Sequence, residues 1–381
     1  MTKERYFDCA TTVLDCKAVE EINKGLTDEF FNPSSPYSVC SGIKVKISRA
    51  RQNVADVLKC DKDNIIFTSG GTESNNIAIF GGLNAKKGKI ITSQVEHPCV
   101  LNCVLELQKR GFEVVYAPLN PNGSVSVGGF KQIVDESTVL VCLMHVNNET
   151  GAINDLKALC KVAKSRNPSC VFASDGVQAF CKVPTNLIDL NVDFYSVTAH
   201  KIHGPKGVGA LYIKNPDKFV SRAFGGGQEK GLRPGTESVP MIYGFGKAVE
   251  VAVGLIGENE KKYSEFRQTI LNCLNSHTDG FVQICVNDCA SHILTLAFAG
   301  IKSQILLNLM EQNGFYIGSG SACHSKSPYS AAGQAIGLDV KYLEGMVRIC
   351  FSRYNTAESV AELAEELVKA VQEVRKLIGK K

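Results

Sequence analysis

Asp193-Phe-Tyr-Ser-Val-Thr198-Ala199-His200-Lys201-Ile-His203-Gly204-Pro205-Lys206-Gly207 passes from a β-rich apolar run into a polar turn, and a second apolar run, Val208-Gly-Ala-Leu-Tyr-Ile213, follows at once. Short continuous apolar runs bounded by turn residues are what strands buried on both faces look like. Similar runs occur at Asn64–Thr68, Lys89–Thr92, Glu113–Tyr116, Thr138–Cys142 and Cys170–Ala173. Between them, Lys44–Leu58, Asn75–Asn84, Pro98–Gly111 and Leu156–Ser165 carry apolar residues three and four apart, the spacing of a helix with one buried face. The alternation predicts βα units and an α/β fold with a mostly parallel, seven-stranded sheet.

Further along, residues 242–274 read as one or two long helices ending in a solvated charge run, Glu258-Asn-Glu-Lys-Lys262. A strand at His292–Phe298, a helix at Ser303–Asn313, a Gly/Ser-rich segment at Gly318–Ser327 and an amphipathic helix at Ser359–Leu377 follow. These predict a smaller α+β domain. The expected division is 15–258 for the large domain and 1–14 with 259–381 for the small one.

With 381 residues the chain is long enough for two or three compact units. Its 44% hydrophobic and 21% charged residues exclude a disordered chain. A net charge of +4, without a long basic block, gives no case for nucleic acid as a partner. No stretch approaches the roughly 18 apolar residues of a membrane span, and Met1–Asp8 lacks the apolar core of a leader. A cytoplasmic protein is expected. The 15 cysteines sit mostly in apolar segments, fitting free thiols in a reducing compartment. Neither Cys99/Cys103 nor Cys285/Cys289 has the C-x-x-C spacing typical of zinc, so no metal site is expected.

Four elements carry chemistry. Lys201 follows a strand within a polar turn, where burial and nearby cations would lower its pKa for a Schiff base with a carbonyl cofactor; an ordinary loop lysine is the alternative. Phe67-Thr-Ser69-Gly70-Gly71-Thr72 leads a strand through small residues into a helix start, a place for a phosphate or simply a capped helix. Asp175 ends a β-run at the carboxyl edge of the sheet, suited to pairing with a protonated pyridine nitrogen or to capping a helix from Gly176. Cys323 lies among small residues beside His324 and Lys326, which favour a thiolate nucleophile; an incidental surface thiol is the alternative.

In this order the elements resemble class-V aminotransferases of pyridoxal phosphate fold type I, in particular the NifS/IscS-like cysteine desulfurases. Matching segments span the chain: Tyr6–Thr12, Asn32–Ser35, Thr68–Asn75, Glu96–Pro98, His145–Gly151, Asp175–Gln178, Ala199–Lys201, Gly225–Glu229, Arg233–Thr236, Ser319–Cys323 and Arg348–Thr356. The resemblance implies pyridoxal 5'-phosphate bound through Lys201. Gly71, Thr72, Thr198 and His200 would hold its phosphate, with Thr236 reaching in from the second subunit of a homodimer. It further implies that His97 stacks on the ring and takes part in acid–base steps, Asp175 pairs with the ring nitrogen, and Asn148 and Gln178 contact the ring hydroxyl. Arg353, helped by Asn32, would clamp the carboxylate of the L-cysteine substrate. Cys323 would take the sulfur as a persulfide, leaving L-alanine, and pass it to an acceptor protein for iron–sulfur cluster assembly or tRNA or cofactor thiolation. In that role the same thiol would be a transient cluster ligand, the one sense in which metal binding is implied.

The chain departs from the family pattern in four places: Tyr37 stands where His is frequent, Cys9 precedes Ala10 where Asn is frequent nearby, His324 stands where Thr or Ser is usual, and Ser325–Gln334 lacks the usual Leu-Glu-Pro and Val-Leu-Arg segments. The last two point to a different docking partner for the persulfide loop. A selenocysteine lyase or another sulfur–carbon lyase on the same scaffold, a plain transaminase and a non-catalytic cysteine-rich cluster scaffold are the alternative readings.

Overall fold

The computed structural model describes residues 3–8, 13–319 and 329–379. Seven strands form the larger sheet: β1 (Ile65–Thr68), β2 (Lys89–Thr92), β3 (Glu113–Tyr116), β4 (Thr138–Cys142), β5 (Val171–Asp175), β6 (Phe194–Thr198) and β7 (Gly209–Ile213), in the order β1-β7-β6-β5-β4-β2-β3. Strands β3, β2, β4, β5 and β6 run parallel, whereas β7 is antiparallel to both β6 and β1. The exception has a simple cause. Only residues 199–208 join β6 to β7, too few for the crossover of a dozen or more residues that a parallel return requires.

Helices Val39–Leu58, Pro98–Lys109, Leu156–Arg166 and Val239–Val253 cover the sheet. Their starts follow local chemistry: Asp155 accepts from the Ala158 amide, and His97 caps a helix whose first residue is proline. One core joins Val54, Phe67, Val141, Leu159, Phe172 and Phe245, and a second on the other face joins Ile66, Ile90, Val104, Leu140 and Leu211. The helix expected at Asn75–Asn84 is instead Gly71–Asn76 continued by a π-turn, Ile77–Gly81. The long helical region is two helices, Val239–Val253 and Ile256–His277, bent by 69°. Among the described residues no single helix is long and apolar enough to cross a membrane.

The second sheet is antiparallel, with β8 (Phe281–Gln283), β9 (Ile293–Phe298), β10 (Gly318–Ser319) and β11 (Met346–Cys350) ordered β10-β11-β9-β8. Helices Ile256–His277 and Ala357–Ile378 pack on it through Phe266, Ile270, Leu274, Leu363, Leu367 and Val371. The N-terminal segment is stitched to the same unit. The Phe7 amide donates to Tyr316 O and the Cys350 amide to Phe7 O, each at 2.7 Å, which brings Asp8 beside β11.

Candidate active site

The carboxyl ends of the parallel strands meet at one edge, where open α/β sheets place their ligands. There β5 delivers Asp175, the turn after β6 delivers His200 and Lys201, the turn after β1 delivers Gly71 and Thr72, and the segment after β2 delivers His97. A cavity of about 250 Å³ is lined by these residues together with Asn148, Gln178 and Thr198, and by Asp8, Glu96, Glu149, Ser319 and Arg348. Glycine permits the approach: a Cβ at Gly209 would lie 2.6 Å from Val197 O and 2.7 Å from Gly70 Cα. Strand β7 can therefore press against the Gly70 turn and bring the Gly71–Thr72 amides beside Thr198.

Asp175 is the electrostatic centre. Its Oδ2 accepts from Asn75 Nδ2 at 2.8 Å and its Oδ1 from the Val177 amide at 2.9 Å, so the turn at Gly176 is fixed without the helix weighed from sequence. Burial pushes its pKa up, against those hydrogen bonds and the charges of His97 and Lys201. The same burial pushes Lys201 down, and the Arg348 charge adds to the shift. His97 is lowered by burial too. Its Nδ1 accepts from the Cys99 amide at 3.2 Å, which leaves Nε2 as the protonated nitrogen of the neutral ring. Desolvation raises the pKa of two carboxyls, Glu96 to about 8 and Glu149 to about 7. Ser93 Oγ donates to Glu96 Oε1 at 2.7 Å, while Oε2 has no partner among the described residues.

Several expected residues fall elsewhere. Arg353 is not in this cavity: its guanidinium is bonded to Asp15, whose Oδ2 also accepts from Tyr354 Oη at 2.7 Å, and it lines a neighbouring pocket with His203 and His292. The arginine that lines the cavity is Arg348, on β11. It donates from Nη1 to Asn148 O at 2.8 Å and from Nη2 to Asp8 Oδ1 at 2.7 Å, and its buried Nε has no acceptor among the described residues. The strand aims Arg348 inward, while Arg353 lies past the strand end, where a carboxylate of the N-terminal segment neutralises it. Asn32 is exposed and uses its side chain to accept from the Ser34 amide at 2.9 Å, within its own loop. Thr236 is exposed and outside the cavity lining of this chain. Cys323 lies outside the described residues. Sequence reasoning gave no role to Asp8, Asn75, Glu96, Glu149 or Arg348; the signal available was that each falls inside a matching segment.

Pyridoxal phosphate, the cofactor implied by the resemblance, asks for a carboxylate opposite its ring nitrogen, an amine for its carbonyl carbon and a donor-rich cradle for its phosphate. The residues present fit. Asp175 is a buried carboxylate whose cost of desolvation a protonated ring nitrogen would relieve, and Lys201 is a buried amine in the same cavity. The cradle is the open hollow formed by Ser69, Gly70, Gly71, Thr72 and His200. A side chain at Gly71 would not be accommodated there, since its Cβ would lie 2.7 Å from Val177 Cγ2.

The family model for class-V aminotransferases matches residues 5–363. A cysteine desulfurase IscS of Clostridium botulinum is 37% identical over 99% of this chain and 96% of its own length. One from Methanosarcina thermophila is 37% identical over 98% and 94%. Among solved structures, a NifS-like protein superposes with a TM-score of 0.89 at 32% identity, covering 97% of this chain and all of its own. A protein described as SspA in complex with cysteine superposes with a TM-score of 0.81 at 31% identity, over 92% of this chain and all of its own. By sequence and by structure, the chain belongs to the class-V aminotransferase family and, within it, to the pyridoxal phosphate-dependent cysteine desulfurases of the NifS/IscS-like group.

Proposed function

We propose that this cysteine desulfurase draws sulfur from free L-cysteine, releases L-alanine, and carries the sulfur as a persulfide on Cys323 to an acceptor protein. The observation that carries the reading is the convergence of Lys201, Asp175, His97 and Arg348 on one cavity. Bound there, pyridoxal phosphate supplies an electron sink for the carbanion left when the substrate loses its α proton. Lys201 takes and returns that proton at Nζ, for which its lowered pKa suits it. Asp175 keeps the ring nitrogen protonated, and Gln178 and Asn148 orient the ring. His97 would hold the ring by stacking and would move a proton at Nε2. Arg348 binds the substrate carboxylate with its planar fork, in place of Arg353. Cys323 thiolate attacks the substrate sulfur, a task for which thiolates are intrinsically suited.

The active form is read as a cytoplasmic homodimer. Thr236 sits in an exposed loop segment, available to complete the phosphate cradle of a second copy. The acceptor serves iron–sulfur assembly or tRNA or cofactor thiolation, with Cys323 as a transient cluster ligand. The test is alanine and sulfide release from L-cysteine by wild type and by Cys323→Ala. The variant is expected to keep the cofactor's colour and to lose sulfide release; full activity would remove Cys323 as the acceptor.

A further inference from the structure

Away from the cofactor cavity, the loop between β8 and β9 holds a second arrangement of thiol and cation. Arg267, on helix Ile256–His277, is 9% exposed and gathers this loop around its guanidinium. It donates to Cys285 O at 3.1 Å, to Ala290 O at 3.4 Å and to Ile293 O, and its Nη2 lies 3.2 Å from Cys289 Sγ. Among the described residues no carboxylate is within ion-pair distance of Arg267, although buried charges are ordinarily paired. The three carbonyls satisfy donors but do not cancel the charge. Among the described residues, the one group in contact with the guanidinium that can become an anion is the Cys289 thiol.

Cys285 adds a second thiol in the same loop: Cys289 Sγ donates to Cys285 O at 3.4 Å, and Cys285 Sγ donates to Asn287 O at 3.4 Å. The neighbouring Cys285 thiol and the Arg267 charge together outweigh burial and the Asp288 carboxylate and bring Cys289 down to about 6, while Cys285 is pushed up by its neighbour Cys289 and by burial. Cys289 is half-buried, and it lines a pocket of about 420 Å³ with Lys182, Ser264, Gln268, Gln283 and Ser291. The backbone around it is held in place: Ile153 N donates to Asp288 O and Ala290 N to Gly151 O, each at 2.8 Å. All thirteen described cysteines are free, and eight are buried; burial pushes up the pKa of Cys142, Cys160 and Cys181 among them.

We propose that Cys289 and Cys285 form a thiol-exchange site whose substrate is a small, polar, low-molecular-weight disulfide admitted to this pocket. Cys289 thiolate attacks one sulfur of that disulfide; a Cys289–substrate S–S bond forms, the substrate's own S–S bond breaks, and the other half leaves as a thiolate. The Cys285 thiol then gives its proton to that thiolate or to water and attacks Cys289 Sγ. The Cys285–Cys289 bond forms and the first half is expelled. The net change is a two-electron oxidation of the cysteine pair and reduction of one disulfide to two thiols.

The experiment takes reduced, full-length holoenzyme, exposes it to oxidised glutathione, alkylates the remaining thiols with iodoacetamide in denaturant, and maps the peptides by mass spectrometry without reduction. The expected result is loss of both labels at Cys285 and Cys289 with an internal disulfide between them, and in Cys285→Ser a glutathione adduct held on Cys289. Full labelling of Cys285 and Cys289 in the wild type, under conditions that place glutathione on the exposed Cys16, overturns the proposal.

Discussion

Arg348 Nη2 stands 2.7 Å from Asp8 Oδ1, a contact between residues 340 positions apart that fixes one wall of the cofactor cavity. The guanidinium is thereby held flat at the cavity edge, with Nε still without an acceptor among the described residues. A lysine at 348 would keep the charge and lose the fork. Charge-assisted hydrogen bonds contribute about 1.5–3 kcal/mol, so Arg348→Lys is expected to raise KM for L-cysteine roughly 10- to 100-fold. Steady-state alanine formation over a range of cysteine concentrations reads this directly.

Arg353→Ala has the opposite signature. Asp15 is 6% exposed and would lose its cationic partner, leaving a buried carboxylate with only Tyr354 and the Lys17 amide. The expected cost is about 3 kcal/mol of stability with KM for cysteine close to wild type. Denaturant titration beside the same kinetic assay separates the two arginines, and a large KM effect at 353 would reverse their assignment.

For Asp175→Asn the Val177 amide contact and the turn can persist on the remaining oxygen, the Asn75 contact persists only if the Asn75 amide reverses, and the negative charge is gone. Loss of a preorganised electrostatic partner in a buried site lowers kcat by roughly 10²–10³-fold. The cofactor should still be retained, as judged by its visible absorbance after gel filtration.

Glu96 gives a pH signature. Its folded pKa of about 8 lies above the ordinary 4.5, so between these values the folded chain keeps a proton that the unfolded chain has released. Stability therefore falls as pH rises through that window, by up to about 1.4 kcal/mol per pH unit. Glu96→Gln lacks this slope. Measured on the cofactor-free protein, the variant's stability relative to wild type should increase from pH 5 to pH 8, and a flat difference would contradict the assignment.

Glu229 is buried and bonded to both Arg51 terminal nitrogens, at 2.6 and 2.8 Å, and to the Phe67 amide at 2.9 Å. It ties the segment carrying Thr236 to β1. Glu229→Ala strands Arg51 and is expected to destabilise by about 3–5 kcal/mol, seen as a lower denaturant midpoint.

Much of this was legible in the sequence because it rests on local pattern. Strands Lys89–Thr92, Glu113–Tyr116 and Thr138–Cys142 coincide with their apolar runs, and Asp175 and Lys201 fall at or just beyond strand ends where such a sheet binds ligands. The two arginines were not separable in this way. Every residue of β11 is buried, so alternation gave no inward face, and the strand ends before Arg353. The π-turn at Ile77–Gly81 was hidden as well, because apolar residues at three- and four-residue spacing suit an α-helix equally. Glu96 escaped notice since its elevated pKa arises from burial, with the Asp175 charge adding to it against the hydrogen bonds of Ser93 and Met144, and that burial is produced by tertiary packing.

The stitching of residues 6–8 to β11 has a consequence for biosynthesis. Residues 6–8 emerge from the ribosome long before their partner strand, so the pocket wall they build cannot close until residues 346–350 have been translated. Until then the nascent chain can complete the seven-stranded sheet but has no finished place to hold a substrate, so cofactor loading and turnover should both be late, largely post-translational events.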